Sequence, residues 1–334
     1  MCAAEMENEV KKRVLFAVAL VVAAGWCDEA AMRVGIIGCD TSHTIAFTEM
    51  MNKKCDPDCA GFKVTAAYQW GSRDIVSSTN RYPKYIPQME AMGVKMVPSI
   101  ADLLKEVDAV LLETNDGRPH LEQAKEVFAS GKPVFIDKPV TATLADAVKL
   151  VEAGKAMNAK WFCSSSLRYV KNAQKARKGE FGPIRGATCW SPEQFEPTQS
   201  EFFWYAIHAA EPLFTIMGTG CAEVRCTGTA TEDVAVGTWK DGRLGVMRAF
   251  NYKRKGCGYG GSIHSEHYGF VDMGTYEGYK PMLVEILNFF KTGVVPVNPE
   301  ETLEIYAFLE AATQSKAKGG AAVSLADVLK QAGR

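Results

Sequence analysis

The sequence predicts an α/β first half built on a doubly wound parallel sheet, followed by an α+β second half built on an open-faced, mostly antiparallel sheet with helices. Two patterns support this division. Short continuous apolar runs alternate with helical patterns up to residue 166, and strands joined by tight turns follow from residue 167. Of the 334 residues, 47% are hydrophobic, which is enough for two domain cores. We therefore divide the chain into segments 1–31, 32–166 and 167–334.

The first half begins with an apolar run that ends in a glycine turn. Residues 33–37 form the run, Gly38 forms the turn, and a helical pattern follows at Ile45–Asn52. Uninterrupted apolar strands separated by helices are typical of a parallel sheet that is covered on both faces. Further strands are predicted at Val64–Tyr68, Val94–Val97, Ala109–Glu113, Val134–Ile136 and Trp161–Ser164, and helices at Ile100–Val107, His120–Ser130 and Leu144–Met157.

The second half shows the alternating pattern of half-buried strands. Val234–Trp239 and Leu244–Asn251 flank a hairpin turn at Lys240–Arg243, and both alternate apolar with small or polar residues. Successive strands joined by tight turns predict an antiparallel sheet. Three more strands are predicted at Ile184–Ser191, Val224–Thr231 and Tyr268–Met273, and helices at Tyr205–Met217, Met282–Lys291 and Glu301–Lys318.

The charge balance limits the classes of partner. The chain has 38 basic and 39 acidic residues, a net charge of -1. It therefore lacks the excess positive charge that indicates nucleic-acid binding. The cysteines and histidines show no zinc spacing, so no metal site is predicted. The expected partner is a small molecule.

The pattern of residues 1–31 predicts a Sec-type signal peptide. Lys11, Lys12 and Arg13 precede the apolar run Val14–Ala24, and small residues follow at 23–25. The run is shorter than the about 20 residues that span a bilayer, so no stable membrane insertion is expected after processing. This predicts a periplasmic or secreted protein. The alternative is an extension that stays on a cytoplasmic protein.

The glycine turn is altered at the positions that bind phosphate in dinucleotide-binding units. When the usual G-x-G-x-x-G motif is aligned with this turn, its three glycine positions correspond to Gly38, Asp40 and His43. A carboxylate at the second position opposes pyrophosphate, since two unit charges about 4 Å apart repel by roughly 4 kcal/mol at an effective dielectric of 20. Alternatively Asp40, Thr41 or Ser42 caps the helix that follows. The candidate phosphate-binding residues are Gly35, Gly38, Asp40, Thr41, Ser42 and His43.

The loop after the second strand is the candidate ribose site. It contains Ser72 and Arg73 and lacks the acidic residue that NAD enzymes commonly place at the strand end. Ser72 and Arg73 are suited to the 2′-phosphate of NADP. The alternative is a solvated loop without a ligand.

Four segments together resemble the Gfo/Idh/MocA oxidoreductases. They are Val34–Gly38, Thr114-Asn115 followed by His120, the Asp137-Lys138-Pro139 motif, and Leu167–Tyr169. The resemblance implies that 32–166 is a Rossmann domain binding NAD or NADP, with Asn115 and His120 among its contacts. It also implies that 167–334 binds a sugar or polyol, and that the protein is a homo-oligomer.

The same resemblance assigns the catalytic residues. Lys138 corresponds to the family's active-site lysine, which lies beside the nicotinamide, and His208 to its acid/base histidine. Trp204 stands where the family has an aspartate, so the usual dyad is incomplete. The alternatives are a salt bridge for Lys138 and core packing for His208. The candidate substrate-binding residues are Arg168, Tyr169, Trp204, Tyr205 and Glu211.

Two functions follow from these residues. The first is an NAD(P)-dependent oxidoreductase that moves a hydride between a sugar or polyol and nicotinamide. The second is a sugar-binding protein or redox-neutral acid/base enzyme that has weakened or lost its nicotinamide binding. The altered turn and the missing aspartate favour the second, and the Asp-Lys-Pro motif favours the first.

Overall fold

The computed structural model describes residues 31–251 and 258–334. The predicted signal peptide lies outside this range except for its last residue, so it stays a prediction. Within the described residues no helix has the length and apolarity that crossing a membrane requires.

The first sheet confirms the predicted parallel fold. It has six strands in the order β3-β2-β1-β4-β5-β6, and every neighbouring pair is parallel. The strands are β1 Met32–Ile37, β2 Phe62–Tyr68, β3 Lys95–Val97, β4 Ala109–Leu112, β5 Val134–Ile136 and β6 Trp161–Cys163. Because all strands point the same way, their carboxyl ends meet along one edge, where ligands bind in open α/β sheets.

Helices cover both faces of this sheet. They are α1 Ser42–Thr48, α2 Val76–Thr79, α3 Tyr82–Ala91, α4 Ile100–Glu106, α5 His120–Ala129 and α6 Leu144–Ala156. The predicted helix Ile45–Asn52 begins earlier than expected, and a π-helical turn, Glu49–Lys53, completes it. The sequence analysis missed α2 and α3, which follow a loop and carry no clear amphipathic signal.

Gly38 is required by the turn after β1. Its φ is +86°, and a Cβ there would lie 2.6 Å from the Thr114 backbone. Only glycine tolerates both conditions, so this residue sets the close approach between the β1 and β4 ends. Gly35 serves packing instead, since its missing Cβ leaves room for Val107 and Leu103.

The second sheet has seven strands in the order β12-β11-β7-β10-β9-β8-β13. They are β7 Ile184–Glu193, β8 Cys221–Gly228, β9 Glu232–Trp239, β10 Leu244–Asn251, β11 Gly260–Ser265, β12 Gly269–Asp272 and β13 Val323–Ser324. All neighbours are antiparallel except β7 and β10, which are parallel. The sheet is therefore mostly antiparallel, as predicted, although β11 and β13 were missed.

The remaining helices connect the two halves. They are α7 Lys171–Arg177, α8 Ile207–Met217, α9 Lys280–Thr292, α10 Pro299–Ala317 and α11 Leu325–Gln331. α9 packs against the first half, where its residues Met282, Leu283 and Ile286 belong to the same hydrophobic core as β1. α10 packs against both β8 and α6. These contacts hold the second domain against the carboxyl edge of the first sheet.

Candidate active site

A cavity of about 260 Å³ lies between the carboxyl edge of the first sheet and the second domain. Each half supplies part of its wall. The lining residues are Thr41, Ser42, His43, Ser77, Arg81, Asn115, Asp137, Lys138, Ser166, Leu167, Gln194, Trp204, Tyr205, His208, Tyr259, Tyr276 and Tyr279. The residues expected to be catalytic, Lys138 and His208, thus share one cavity although 70 positions separate them in the sequence.

Lys138 follows β5, and its ammonium lies among aromatic rings. Its Nζ is 5.7 Å from the Trp204 ring centre and 5.6 Å from that of Tyr205. Burial lowers the pKa of Lys138, and the neighbouring Asp137 carboxylate opposes this shift. A lysine with a lowered pKa is suited to exchange a proton with a substrate oxygen.

His208 lies in the first turn of α8 with its ring held by two neighbours. Its Nδ1 is 2.7 Å from the Ser165 hydroxyl, and its ring is edge-on to Tyr205 at 5.1 Å. Burial, followed by the charge of Lys138, lowers the pKa of His208 well below its ordinary value. The imidazole is therefore neutral at pH 7, which makes it a base rather than an acid in the resting site.

Three tyrosines were missed by the sequence analysis. Tyr259, Tyr276 and Tyr279 line the cavity, with the Tyr276 hydroxyl 3.1 Å from Ser166 Oγ and the Tyr279 hydroxyl 3.0 Å from Ser42 Oγ. They come from segments without a motif, so no local signal marks them. Together they add hydroxyl groups to a site that already contains serines and an aromatic wall.

Asp40 does not cap α1. Its carboxylate turns away and accepts hydrogen bonds from the backbone N–H groups of Ser72 (3.2 Å) and Asn115 (3.1 Å). The Tyr82 hydroxyl donates to the same carboxylate at 3.1 Å. The N-cap of α1 is Thr41, whose side chain makes no capping bond. The capping alternative is therefore wrong for Asp40 and Thr41.

The Asp40 side chain fills the space between the carboxyl ends of β2 and β4. A Cβ on Gly71 would lie 2.8 Å from both carboxylate oxygens, so the two loops close tightly around this group. Burial raises the pKa of Asp40, although its backbone hydrogen bonds oppose the shift. The side-chain amide of Asn115 adds a second bridge across the same gap by donating to Ser77 and Ser78 at 3.1 Å.

Three of the predicted cofactor residues, Ser72, Arg73 and His120, lie away from the cavity. Ser72 bonds to Asp74 at 3.0 Å, and the Arg73 guanidinium lies 4.8 Å from the Trp70 ring centre. His120 is fully buried, with its Nε2 2.8 Å from the Thr114 carbonyl oxygen. None of the three lines the cavity, whereas Asn115 does. Ser72, Arg73 and His120 thus serve the local structure of the strand-end loops here.

Arg168 and Glu211 form a buried ionic network rather than a substrate wall. Arg168 donates to Glu211 at 2.6 Å and to Glu301 at 2.8 Å, and its side chain is 2% exposed. Tyr169 lines a different surface depression, on the side of α9. The expectation that Arg168 or Tyr169 lies on the wall of the catalytic cavity is wrong, because Arg168 turns to carboxylates inside the second domain and Tyr169 faces the side of α9. Trp204 and Tyr205 do line it.

A cluster of His43, Glu113 and Asp137 lies at the ends of three elements. His43 Nδ1 is 3.0 Å from Asp137 Oδ2 and 3.5 Å from Glu113 Oε2. Burial opposes the charged form of His43, but the two carboxylates outweigh it and raise its pKa to about 10. No sequence pattern indicated this cluster, because its members are far apart in the chain and follow no ligand spacing.

The comparisons with known proteins agree with this architecture. Residues 32–164 match the family described as "Oxidoreductase family, NAD-binding Rossmann fold". The first half of the chain is therefore similar to the Gfo/Idh/MocA oxidoreductases. No curated protein sequence matches it.

Solved structures of several dehydrogenases show the same fold at low identity. A probable dehydrogenase from Thermotoga maritima is 21% identical, with a TM-score of 0.70, over 89% of this chain and 100% of that one. Scyllo-inositol dehydrogenase from Lactobacillus casei with bound NAD(H) and scyllo-inositol is 16% identical (TM-score 0.67; 89% and 99% covered). UDP-N-acetylglucosamine 3-dehydrogenase from Acidithiobacillus ferrooxidans is also 16% identical (TM-score 0.67; 86% and 99% covered).

The residues at the carboxyl edge of the first sheet hinder a dinucleotide in the usual pose. The backbone N–H groups of Ser72 and Asn115 are taken by Asp40. Two more buried carboxylates, Glu113 and Asp137, lie beside α1, where a Rossmann domain places the pyrophosphate. These carboxylates repel a phosphate placed beside them, although His43, Arg81 and Lys138 at the same cavity oppose this effect.

Proposed function

We propose that this chain is a redox-neutral acid–base enzyme acting on a sugar or a related polyhydroxylated compound that carries a carbonyl group. The observation that carries the proposal is the Asp40 carboxylate, which fills the gap between the β2 and β4 ends while Lys138 and His208 face one cavity. Both proposed acid–base groups are present, and Asp40 occupies two backbone donors beside the dinucleotide position.

The cavity lining supports a polyhydroxylated ligand. Tyrosine and serine hydroxyls both donate and accept hydrogen bonds, which matches the hydroxyl groups of a sugar. The rings of Trp204 and Tyr205 supply an apolar surface against which a sugar ring packs. The cavity volume of about 260 Å³ suits a compound the size of a monosaccharide better than a dinucleotide with its substrate.

In the proposed reaction, His208 removes a proton from the carbon next to the substrate carbonyl. His208 Nδ1 lies 2.7 Å from Ser165 Oγ, and in the tautomer in which Nδ1–H donates to this hydroxyl, Nε2 carries the lone pair that accepts the proton. The electrons of the broken C–H bond form a C=C bond, and the carbonyl oxygen takes a proton from Lys138, which gives an enediol. Return of the protons to another position yields an isomer or epimer, so the reaction consumes no oxidant.

Asp40 variants test whether the dinucleotide position is closed. We expect wild-type protein to bind NAD(H) and NADP(H) weakly, and Asp40→Gly to bind at least one of them about tenfold more tightly, because it frees two backbone donors and removes a charge. Asp40→Asn is the matched control, since its amide still fills the gap. Calorimetry at fixed salt measures all three proteins. Micromolar binding by wild type, unchanged in Asp40→Gly, would contradict the proposal.

The alternative function is NAD(P)-dependent oxidation or reduction of a sugar or polyol, and the match of residues 32–164 to an NAD-binding oxidoreductase family supports it. Its distinguishing result is a change in nicotinamide absorbance that depends on both the sugar and the wild-type protein. That result, together with micromolar cofactor binding, would replace the redox-neutral proposal.

We also propose export of the protein and assembly into a homo-oligomer. The segment 14–24 supports export, and the exposed side chains of Leu244 and Phe270, which line one depression on the second sheet, support a subunit contact. N-terminal sequencing of protein from its native host is expected to give a mature terminus near Trp26. An intact Met1 in the cytosol would contradict export.

A further inference from the structure

We propose that His43, Glu113 and Asp137 bind a divalent metal ion at the carboxyl edge of the first sheet. The three residues come from α1 and from the ends of β4 and β5. One ligand atom from each lies within 4.8 Å of the other two. A metal about 2.1 Å from each ligand atom separates its ligands by about 3 to 4 Å, so small side-chain movements complete the site.

The potential ligand atoms lack hydrogen-bond partners. His43 Nδ1, Glu113 Oε1 and Asp137 Oδ2 are buried and make no hydrogen bond in the described structure. His43 Nδ1 lies at ion-pair distance from Asp137 Oδ2, 3.0 Å, but makes no hydrogen bond to it. Buried polar atoms are nearly always hydrogen-bonded, so three atoms of one cluster without a hydrogen bond indicate a missing ligand.

The other carboxylate oxygens are held by neighbours. Thr41 Oγ1 donates to Glu113 Oε2 at 3.2 Å, and the Lys138 backbone N–H donates to Asp137 Oδ1 at 2.7 Å. Such contacts orient metal-ligating carboxylates. They leave Glu113 Oε1 and Asp137 Oδ2 for the ion.

The donor set indicates the class of metal. One imidazole nitrogen and two carboxylates suit Zn²⁺, Mn²⁺, Fe²⁺ or Co²⁺, and three protein ligands leave coordination positions open. His43 and Asp137 line the catalytic cavity. The open positions therefore face the space that holds Lys138 and His208. Coordination of two neighbouring substrate oxygens there rests on the proposed function, whereas metal binding does not.

Metal titration of the full chain tests the site. Protein stripped with a chelator is titrated with Mn²⁺, Co²⁺ or Zn²⁺ by calorimetry, and with Co²⁺ by visible absorption. We expect one ion per chain, and at least about 100-fold weaker binding in His43→Gln, Glu113→Gln and Asp137→Asn, a larger loss than the 10–100-fold typical of outer-shell changes.

Glu193→Gln is the matched control. Glu193 is also a buried carboxylate with unpartnered oxygens, but it lies on β7 outside the cluster. This variant should bind the metal like wild type. A metal-dependent rise in Tm for wild type and Glu193→Gln, absent in folded Glu113→Gln, would support the site.

Three outcomes would overturn the proposal: less than a stoichiometric ion in wild type, unchanged binding in the three cluster variants, or equal loss in Glu193→Gln. The experiments distinguish a failure of the metal site from a failure of the proposed acid–base reaction. Stoichiometric metal binding without sugar turnover would leave the metal site standing and reject the acid–base function. Turnover by metal-free protein would leave the acid–base proposal standing.

Discussion

Replacing Lys138 by methionine is expected to slow the proposed reaction by about 10²–10⁴-fold, the range for loss of a positioned acid or base. His208→Gln should cause a loss of the same size. Methionine keeps most of the side-chain volume between Trp204 and Tyr205, so the cavity walls stay in place. The expected loss is in kcat, since the proton transfers belong to the transition state.

Deuterium incorporation measures this effect whichever isomer or epimer the reaction forms. A panel of aldohexoses, ketohexoses, hexuronic acids and oxidised inositols is incubated with the protein in D₂O and followed by proton NMR. Proton removal next to a carbonyl replaces that C–H by C–D, whereas hydride transfer to nicotinamide does not. Lys149→Met, which changes an exposed lysine on α6, is the control with wild-type rates.

The absence of exchange by wild type across this panel would reject the redox-neutral reaction on these sugars. Exchange that survives at the wild-type rate in both Lys138→Met and His208→Gln would reject the assignment of these two residues. Both results require folded protein, so each variant is first checked by its unfolding transition.

Arg168→Met is expected to lower the free energy of unfolding by about 3–5 kcal/mol. The substitution leaves the carboxylates of Glu211 and Glu301 buried without their shared cation. Arg177 still pairs with Glu301 at 2.7 Å, but Glu211 loses its partner. Urea unfolding followed by circular dichroism measures the change.

The matched control is Arg177→Met. This arginine is 35% exposed and pairs with the same Glu301, and its loss should cost about 1 kcal/mol or less. The triple variant Arg168→Met, Glu211→Gln, Glu301→Gln should recover most of the lost stability, because no uncompensated charge stays buried. Equal losses in the two arginine variants would show that burial does not set the cost.

Local patterns in the sequence were sufficient for most of the fold. The apolar runs at β4, β5 and β6 and the hairpin between β9 and β10 depend on neighbouring residues, and the structure reproduces them within a few positions. The role of Gly38 was also predictable, because a turn between a strand and a helix needs a positive φ. The short α2 and the strand β11 were missed, since neither has a periodic apolar pattern.

Only the tertiary structure decided what the altered turn does. Asp40 meets Ser72 across 32 positions and Asn115 across 75, and His43, Glu113 and Asp137 meet because β1, β4 and β5 are neighbours in the sheet. Sequence spacing carries no information about such contacts, because strand order and the close approach of loops at the strand ends determine them. The family motif therefore located Lys138 and His208, whereas the contacts of Asp40 and the cluster of His43, Glu113 and Asp137 follow from how the strand ends pack.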